Sequence, residues 1–318
     1  MSKRRFTVNG PTGQKGLTLL ELMVSIVLGL LVVAATLSVY VGHRNSYALV
    51  EGAGRVQENV RFAAEILSRE LREAGGIACG GNLSPVYHGN VGTWGQGERG
   101  LVGNVLDAGG LPAPLPASLA GSDSVLIWSA TGEKPFPIVS HDAAAGTFVL
   151  GPAAPGQTLN LGGVAVACDG ARVFSFLPIS ANAANYSTVN AIITDDLRPG
   201  GFVAPLSAHL WFVGPRSNSA AGNALRRAVI NHQGVVSQPD DVIDNVSGLR
   251  LSYLTTDNPT TYLSATDINA FPDGWKHVLA VRVELTVVSQ DSVATTPTGA
   301  QQLSEAVPFT VTLRRRAP

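Results

Sequence analysis

The stretch that decides the fold is residues 13–41, which read GQKGLTLLELMVSIVLGLLVVAATLSVYV. After a lysine and a glycine the chain becomes apolar, with one carboxylate, Glu21, at the front of the apolar part. No charged residue lies between Leu22 and Val41, and about 20 apolar residues span the hydrocarbon core of a bilayer as a helix. A carboxylate inside such a segment costs roughly 2.5–3.5 kcal/mol to insert, so it normally has a partner and a purpose. The stretch therefore predicts a membrane helix that carries one functional acid.

This arrangement resembles the class III signal of type IV prepilins and pseudopilins. In that family a dedicated peptidase cuts after the glycine and methylates the new N-terminal amine. The resemblance implies cleavage between Gly16 and Leu17, N-methylation of Leu17, and Glu21 as the fifth residue of the mature chain. Leu17 departs from the phenylalanine that the family usually has as its first mature residue.

An ordinary secretory signal or a simple signal anchor is the alternative interpretation. Its basic region would be Lys3, Arg4, Arg5 and Lys15, and its small-residue cleavage site would be Val33-Ala34-Ala35. The apolar regions of such signals run to about 7–15 residues, whereas this one is longer and has an acid near its beginning. The prepilin interpretation is therefore favoured. The positive leader would stay cytoplasmic, and everything after Val41 would be exported.

A second helical pattern extends from Arg55 to Glu73. Apolar residues recur at spacings of three and four, at Val56, Val60, Ala64, Leu67 and Leu71, with Phe62 and Ile66 widening the stripe. Opposite charges four residues apart on the other face support a helix modestly, and Gly75-Gly76 ends it. We therefore predict one long helix from Leu17 to Ala74, with a weak point for bending at Gly52. Its first half would be apolar all round, and its second half would pack on a globular domain.

The remainder is predicted to be an exported, β-rich domain. Only 14% of the residues are charged, and the 35 glycines and 19 prolines are typical of short strands joined by long loops. Residues 75–121 show no clear period and are interpreted as an irregular loop with one short strand. The predicted strands are Ser124–Ser129, Gly146–Leu150, Val164–Ala167, Val173–Leu177, His209–Val213, Ala224–Asn231, Val246–Thr255, His277–Val288 and Pro308–Arg314.

Short strands between glycine, proline and asparagine turns favour an antiparallel sheet. The predicted fold class is thus α+β, with a pilin-like long helix packed on a mainly antiparallel sheet with long loops. The predicted division of the chain is a cleaved leader over residues 1–16, the long helix over 17–74 with its transmembrane part at about 17–42, and the globular domain over 75–318.

Four later stretches are similar to minor pilins of the PilW type. They are Glu70–Gly75 with Cys79 shortly after it, at the end of the amphipathic helix, and three strand-like pieces, Gly248–Tyr253, Trp275–Leu285 and Phe309–Arg314. Residues 76–245 carry no such resemblance.

The chain has two cysteines, Cys79 and Cys168, and both would lie on the exported side. We expect a disulfide between them, because exported proteins meet an oxidising environment. The bond would close a long loop and contribute up to roughly 4–5 kcal/mol in the chain-entropy model. Two unpaired thiols are the alternative. Neither cysteine lies in a Cys-x-x-Cys motif, which argues against a zinc or thioredoxin-like role.

Glu21 is the residue with the strongest chemical argument. After cleavage Leu17 would carry a new α-amine near the membrane interface, and a carboxylate four residues along the helix can compensate such a cation where water is scarce. In the family this acid is thought to pair with the N-terminal amine of a neighbouring subunit, which sets the axial register of assembly. The alternative is an acid that reaches the interface and has no further role.

No stretch predicts a catalytic site, a metal centre or a cofactor. The six histidines, His43, His88, His141, His209, His232 and His277, lack metal-ligand spacing. Asp195-Asp196 and Asp240-Asp241 are interpreted as solvated turn acids, since neither pair lies in a calcium-loop pattern. The net charge of −1 gives no reason to expect nucleic-acid binding. Arg314–Arg316 are interpreted as a solvated tail, with anionic lipid, nucleic acid or a partner protein as alternatives.

The favoured function is therefore that of a structural, non-catalytic minor pilin, acting in type IV pilus assembly or initiation at or near the pilus tip. Its expected partners are other minor and major pilins through the N-terminal helix, the prepilin peptidase and the inner membrane, and no nucleic acid. The alternatives are a minor pseudopilin of a type II secretion system and a membrane-anchored periplasmic enzyme or binding protein. Twitching motility, adhesion and DNA uptake are all compatible with the sequence as the role of such a pilus.

Overall fold

The computed structural model describes residues 18–76, 86–88, 100–106, 115–130, 135–151, 163–169, 172–178, 180–181, 188–190, 197, 200–218, 222–231, 233–271, 273–290, 294–296 and 299–313. The predicted cleavage site at Gly16 and Leu17, and Cys79, lie outside these residues. The chain divides into two compact units, the first ending at Glu51 and the second beginning at Gly52.

One helix, α1 (Leu19–Glu73), is continuous over 55 residues and passes through Gly52 without interruption. The chain turns away from the helix axis at Gly75, whose φ of 69° lies in the left-handed region that glycine adopts without strain. The Gly75 N–H then donates to the Trp128 carbonyl at 2.7 Å. The structure confirms the predicted long helix, and its end falls one residue before the predicted Ala74.

In the first unit, α1 carries an uncovered apolar surface. Every side chain from Leu19 to Ala48 is exposed, as expected for a segment that is apolar all round. A helix of this kind is unfavourable in water and needs a lipid or protein environment.

In the second unit, α1 buries one face. The buried residues are Val56, Val60, Ala63, Leu67, Glu70, Leu71 and Ala74. Their spacing of three and four residues confirms the amphipathic prediction, with two differences. Phe62, which was predicted to widen the apolar stripe, is 52% exposed. Ala63 is buried and the predicted Ala64 is only half-buried, because position 63 continues the stripe from Val60 to Leu67 and position 64 is rotated away from it.

The described strands, in chain order, are β1 (Val86–His88), β2 (Leu101–Gly103), β3 (Val125–Ser129), β4 (Phe136–Asp142), β5 (Thr147–Leu150), β6 (Ala165–Cys168), β7 (Val173–Phe176), β8 (Ser180–Ala181), β9 (Thr188–Asn190), β10 (Phe202–Pro205), β11 (Ser207–Pro215), β12 (Asn223–Val229), β13 (Asp240–Asp244), β14 (Val246–Thr255), β15 (Val278–Val288), β16 (Ala294–Thr296), β17 (Gly299–Gln301) and β18 (Ser304–Thr312). A short helix, α2 (Ala265–Asn269), and a 3₁₀ turn, Gly274–His277, connect β14 to β15.

The strands form three larger sheets and one hairpin. An eight-stranded sheet has the order β1-β7-β6-β10-β4-β5-β9-β8, a five-stranded sheet has the order β13-β12-β11-β3-β2, and a three-stranded sheet has the order β14-β15-β18. The remaining two strands, β16 and β17, pair with each other. Among the described pairings all are antiparallel except β1 with β7, which confirms the predicted α+β class with mainly antiparallel sheets.

The largest core lies between α1 and two of the sheets. Leu67 and Leu71 pack there with Trp211 of the five-stranded sheet and with Val283 and Leu285 of the three-stranded sheet. The opposite face of the five-stranded sheet has its own smaller core, and the eight-stranded sheet has a third one around Phe148 and Phe176. The amphipathic half of α1 is thus part of the core of the second unit.

Each of the nine predicted strands overlaps a strand of the structure, although several observed strands were not predicted. The observed β14 has the predicted bounds, Val246–Thr255, whereas β4, β10 and β13 were not predicted. The part interpreted as a loop with one short strand contains both β1 and β2. Asp240 and Asp241 lie in β13 and not in a turn, and the Asp241 side chain is only 15% exposed because it pairs with Arg226.

Candidate functional site: the N-terminal helix and its anchorage

The helix that begins at Leu19 is long and apolar enough to cross a membrane. The uncharged run from Leu22 to Val41 would extend about 30 Å at 1.5 Å per residue, which matches the bilayer core. The Ser25 hydroxyl donates to the Glu21 carbonyl at 2.7 Å, and the Thr36 hydroxyl donates to the Val33 carbonyl at 2.9 Å. Both hydroxyls are satisfied within the helix, as they need to be in lipid.

Glu21 lies in the first turn of α1 and is the only charged residue between Leu19 and Val41. Its backbone N–H donates to the Thr18 hydroxyl at 3.3 Å, so Thr18 caps the helix. Its carboxylate is exposed and has no hydrogen-bond or ion-pair partner among the described residues. The geometry leaves this acid available to a group from outside the helix.

The capping role of Thr18 was not predicted from the sequence. The signal was present, because Thr18-Leu19-Leu20-Glu21 has the Ser/Thr-x-x-Glu spacing of a capping box. A glutamate at the third helical position is also favoured there by the helix dipole. The same four residues thus specify both where α1 begins and where the acid lies.

The far end of the apolar segment carries residues typical of a membrane interface. Tyr40 is 66% exposed and Tyr47 is 73% exposed, and His43 and Arg44 lie between them. Amphipathic rings and basic side chains are enriched where a helix leaves the hydrocarbon.

A hydrogen bond to a buried carboxylate connects the end of α1 to the five-stranded sheet. His209 Nδ1 of β11 donates to the Glu70 carboxylate at 2.9 Å, and Glu70 as a whole is 9% exposed. Burial alone would raise the pKa of the Glu70 carboxyl, but the His209 hydrogen bond and the charges of His209, Arg227 and Arg69 outweigh it and hold that pKa below its ordinary value. This carboxylate therefore stays ionised at neutral pH. Neither residue was predicted to pair.

The structure brings the separate PilW-like stretches together. Gly248–Tyr253 lies in β14, Trp275–Leu285 covers the 3₁₀ turn and most of β15, and Phe309–Leu313 covers the end of β18. These pieces form the three-stranded sheet, and Glu70–Gly75 is the end of the helix that packs against it. This packing of the helix on the sheet is not apparent from the sequence, since more than 170 residues separate the helix from β14.

Two aromatic residues of these stretches contact each other and the elements next to the three-stranded sheet. The rings of Tyr253 and Trp275 meet edge to face at 4.9 Å, and the Trp275 indole N–H donates to Asn269 Oδ1 at 2.7 Å. A Cβ at Gly103 would overlap the Tyr253 hydroxyl, so only glycine fits at that point of β2.

The other predicted residues are placed without forming a chemical centre. Cys168 lies buried in β6, and the described part of the chain holds no free cysteine. His277 pairs with Asp257 at 2.8 Å. Within the described ranges, which leave out His232 and Asp195-Asp196, no three histidine, cysteine or acidic residues come together as a metal site.

Comparison with family models gives two matches. Residues 211–316 match the PilW family, described as type IV pilus-assembly protein W, and residues 11–37 match the prokaryotic N-terminal methylation motif. No curated protein and no solved structure matches the chain.

The two matches support a type IV pilus-related pilin. They also confirm the resemblance to PilW-type minor pilins that the sequence indicated, through the PilW match near the C-terminal end and the methylation motif near the N-terminal end. The PilW match begins in β11, two residues after His209, and ends after β18, so it takes in the whole three-stranded sheet.

Proposed function

We propose that the chain is a minor pilin that acts in the assembly or initiation of a type IV pilus, at or near the pilus tip, as a structural and non-catalytic subunit. The observation that carries this proposal is the change in α1 along its length. It is apolar and exposed from Leu22 to Val41 and part of a protein core from Val56 onward. A helix of this kind can leave a membrane and enter a helical assembly while the domain that it supports stays folded.

The acid at the start of α1 supplies the assembly chemistry in this proposal. The prepilin peptidase would cut between Gly16 and Leu17 and methylate the Leu17 amine, and Glu21 of one subunit would pair with that amine on a neighbouring pilin. The exposed carboxylate of Glu21, which has no partner among the residues that the structure describes, supports this role. The attraction between two such charges is strong where water is scarce.

The size of the exported part supports a minor rather than a major subunit. The eight-stranded sheet lies between Val86 and Pro205, ahead of the PilW match that begins at residue 211. That much additional protein is tolerated where few neighbours crowd the subunit, as at a filament tip. A subunit repeated along the whole shaft would have to accommodate it in every layer.

The proposed location is the inner membrane, crossed once, with the leader cytoplasmic and the domain periplasmic, followed by the pilus itself. The methylation motif and the apolar helix support membrane anchoring. In the oxidising periplasm we propose a disulfide between Cys79 and Cys168. Mass spectrometry without reductant should detect the linked peptides, and two freely alkylated thiols would refute the bond.

The function is tested by deleting the gene and restoring it with a tagged copy in the native host. We expect pilus number to fall in the deletion strain and other pilins to co-purify with the tagged chain. If piliation is normal while type II secretion fails, the chain is a pseudopilin instead. If neither process changes and no pilin co-purifies, the assembly role is wrong.

A further inference from the structure

The two edges of the three-stranded sheet differ in whether other parts of the chain hydrogen-bond to them. On β14, the Leu249 N–H donates to the Ser122 hydroxyl at 3.0 Å, and the Leu251 N–H donates to the Asp123 carboxylate at 2.6 Å. Further along, β14 exchanges two backbone hydrogen bonds of 2.8 Å with Leu263. The β14 edge is therefore covered by other parts of the chain.

The other edge is β18, and its outer side has no partner in the part of the chain that the structure describes. Two hydrogen bonds at its ends fix which residues face β15. The Leu313 N–H donates to the Leu279 carbonyl at 2.9 Å, and the Ser289 N–H donates to the Leu303 carbonyl at 2.7 Å. The register between them is unbroken. Because hydrogen-bonded pairs alternate along antiparallel strands, the odd-numbered residues of β18 bond to β15.

The even-numbered residues of β18 therefore direct their backbone groups outward. They are Ser304, Ala306, Pro308, Thr310 and Thr312, and all five are exposed. Pro308 is the middle member of this row and has no N–H to offer. It also stands opposite Glu284 in a pair that exchanges no backbone hydrogen bonds, so β15 loses nothing by its presence.

The central position of Pro308 decides how two copies of β18 could meet. Two copies related by a two-fold axis would pair antiparallel, and full overlap places Pro308 of one copy opposite Pro308 of the other. That central pair would lack both hydrogen bonds, and two proline rings would occupy the space of the missing donors. If one copy of β18 is shifted by two or four residues along the other, Pro308 still lies in a pair whose residues should exchange hydrogen bonds. Registers that leave Pro308 outside the paired segment retain only about two residue pairs.

We infer that Pro308 keeps the bare edge of this sheet from pairing with the same edge of a second copy of the chain. A long exposed edge strand is otherwise a template for strand addition. Here β18 also carries Val307 and Phe309, which are only partly buried and would add apolar contact to any such pairing. This inference does not depend on what the chain assembles with through α1.

The test replaces the proline by a residue that restores the donor. Pro308→Thr in the full chain, purified in an excess of detergent micelles, is compared with wild type by sedimentation velocity over a range of concentrations. Full overlap would regain two central hydrogen bonds, so we expect dimerisation to tighten roughly tenfold or more. Ser304→Thr is the matched control, because it adds the same side chain to the same row without adding a donor.

A second variant separates edge pairing from association through the membrane helix. Adding Thr310→Pro to Pro308→Thr puts a proline back into the outward row and should return the protein to wild-type behaviour. Association of Pro308→Thr no tighter than wild type would overturn the inference, as would equal association of Ser304→Thr. The melting temperature of Pro308→Thr should match wild type. A clear loss of stability would show that position 308 does not face outward.

Discussion

The second half of α1 belongs to the folded core, and Leu67→Ala tests this directly. Leu67 is 1% exposed and packs in the core shared by α1 and two sheets. Truncation of a buried leucine costs about 2–5 kcal/mol, through lost transfer free energy and the cavity left behind, and we expect about 3 kcal/mol here because strands enclose the site. For a unit of this size, each kcal/mol lowers the melting temperature by about 2–4 °C, so the expected drop is about 6–12 °C.

Tryptophan fluorescence is a suitable assay, since all four tryptophans lie beyond Gly75 and none is in the apolar segment. Phe62→Ala is the matched control, because Phe62 is on the same helix, has a larger side chain and is 52% exposed. It should shift the melting temperature by less than a third of the Leu67→Ala effect. Equal shifts for the two variants would refute the packing of α1 into the core.

Three other substitutions have expected outcomes. Glu21→Ala should leave protein level and membrane location unchanged while co-purification with other pilins is lost, and wild-type co-purification would show that this carboxylate is not a docking element. Glu70→Gln should cost about 1–2 kcal/mol at neutral pH, since it removes a charge-assisted hydrogen bond. Because the folded pKa of Glu70 lies below its ordinary 4.5, the wild-type advantage should persist above that pH and disappear as pH falls through the folded value, which chemical denaturation at several pH values would measure. Gly103→Ala should lower the melting temperature by the equivalent of about 1–3 kcal/mol, because the new methyl would overlap Tyr253 and approach Trp275 to 2.9 Å, whereas Gly54→Ala, with open space around it, should not.

The sequence was sufficient to predict those elements whose own residues show a clear pattern of apolar and polar positions. The run after Glu21 could be recognised by its length and lack of charge, and the stripe from Val56 to Leu71 by its helical period, so α1 could be predicted almost to its last residue. The strand β14 has alternating apolar residues between turns, and its predicted bounds agree with the structure.

The elements that were missed depend on distant partners. The strand β13 contains three aspartates and reads as a turn, but Asp241 is satisfied by Arg226 on the neighbouring strand and by Ser217. The strand β4 contains Pro137, which weakens the local strand signal although the surrounding sheet accommodates it. No local pattern could have revealed such tertiary compensation.

The candidate site was predicted in part for the same reason. Glu21 could be recognised from the sequence because a charge within an apolar segment has a high free-energy cost in any fold. Glu70 is one of several charged residues on an amphipathic helix, and only the fold shows that it faces His209. Thr18 was recognisable from its spacing to Glu21 and was overlooked beside the stronger membrane signal.

We propose above all that α1 is a processed prepilin helix with a free, methylated amine near Glu21. The most direct test is the intact mass and N-terminal sequence of the protein purified from membranes of its native host. We expect a mature chain that begins at an N-methylated Leu17. A chain that begins near Thr36, or that retains residues 1–16, would contradict it.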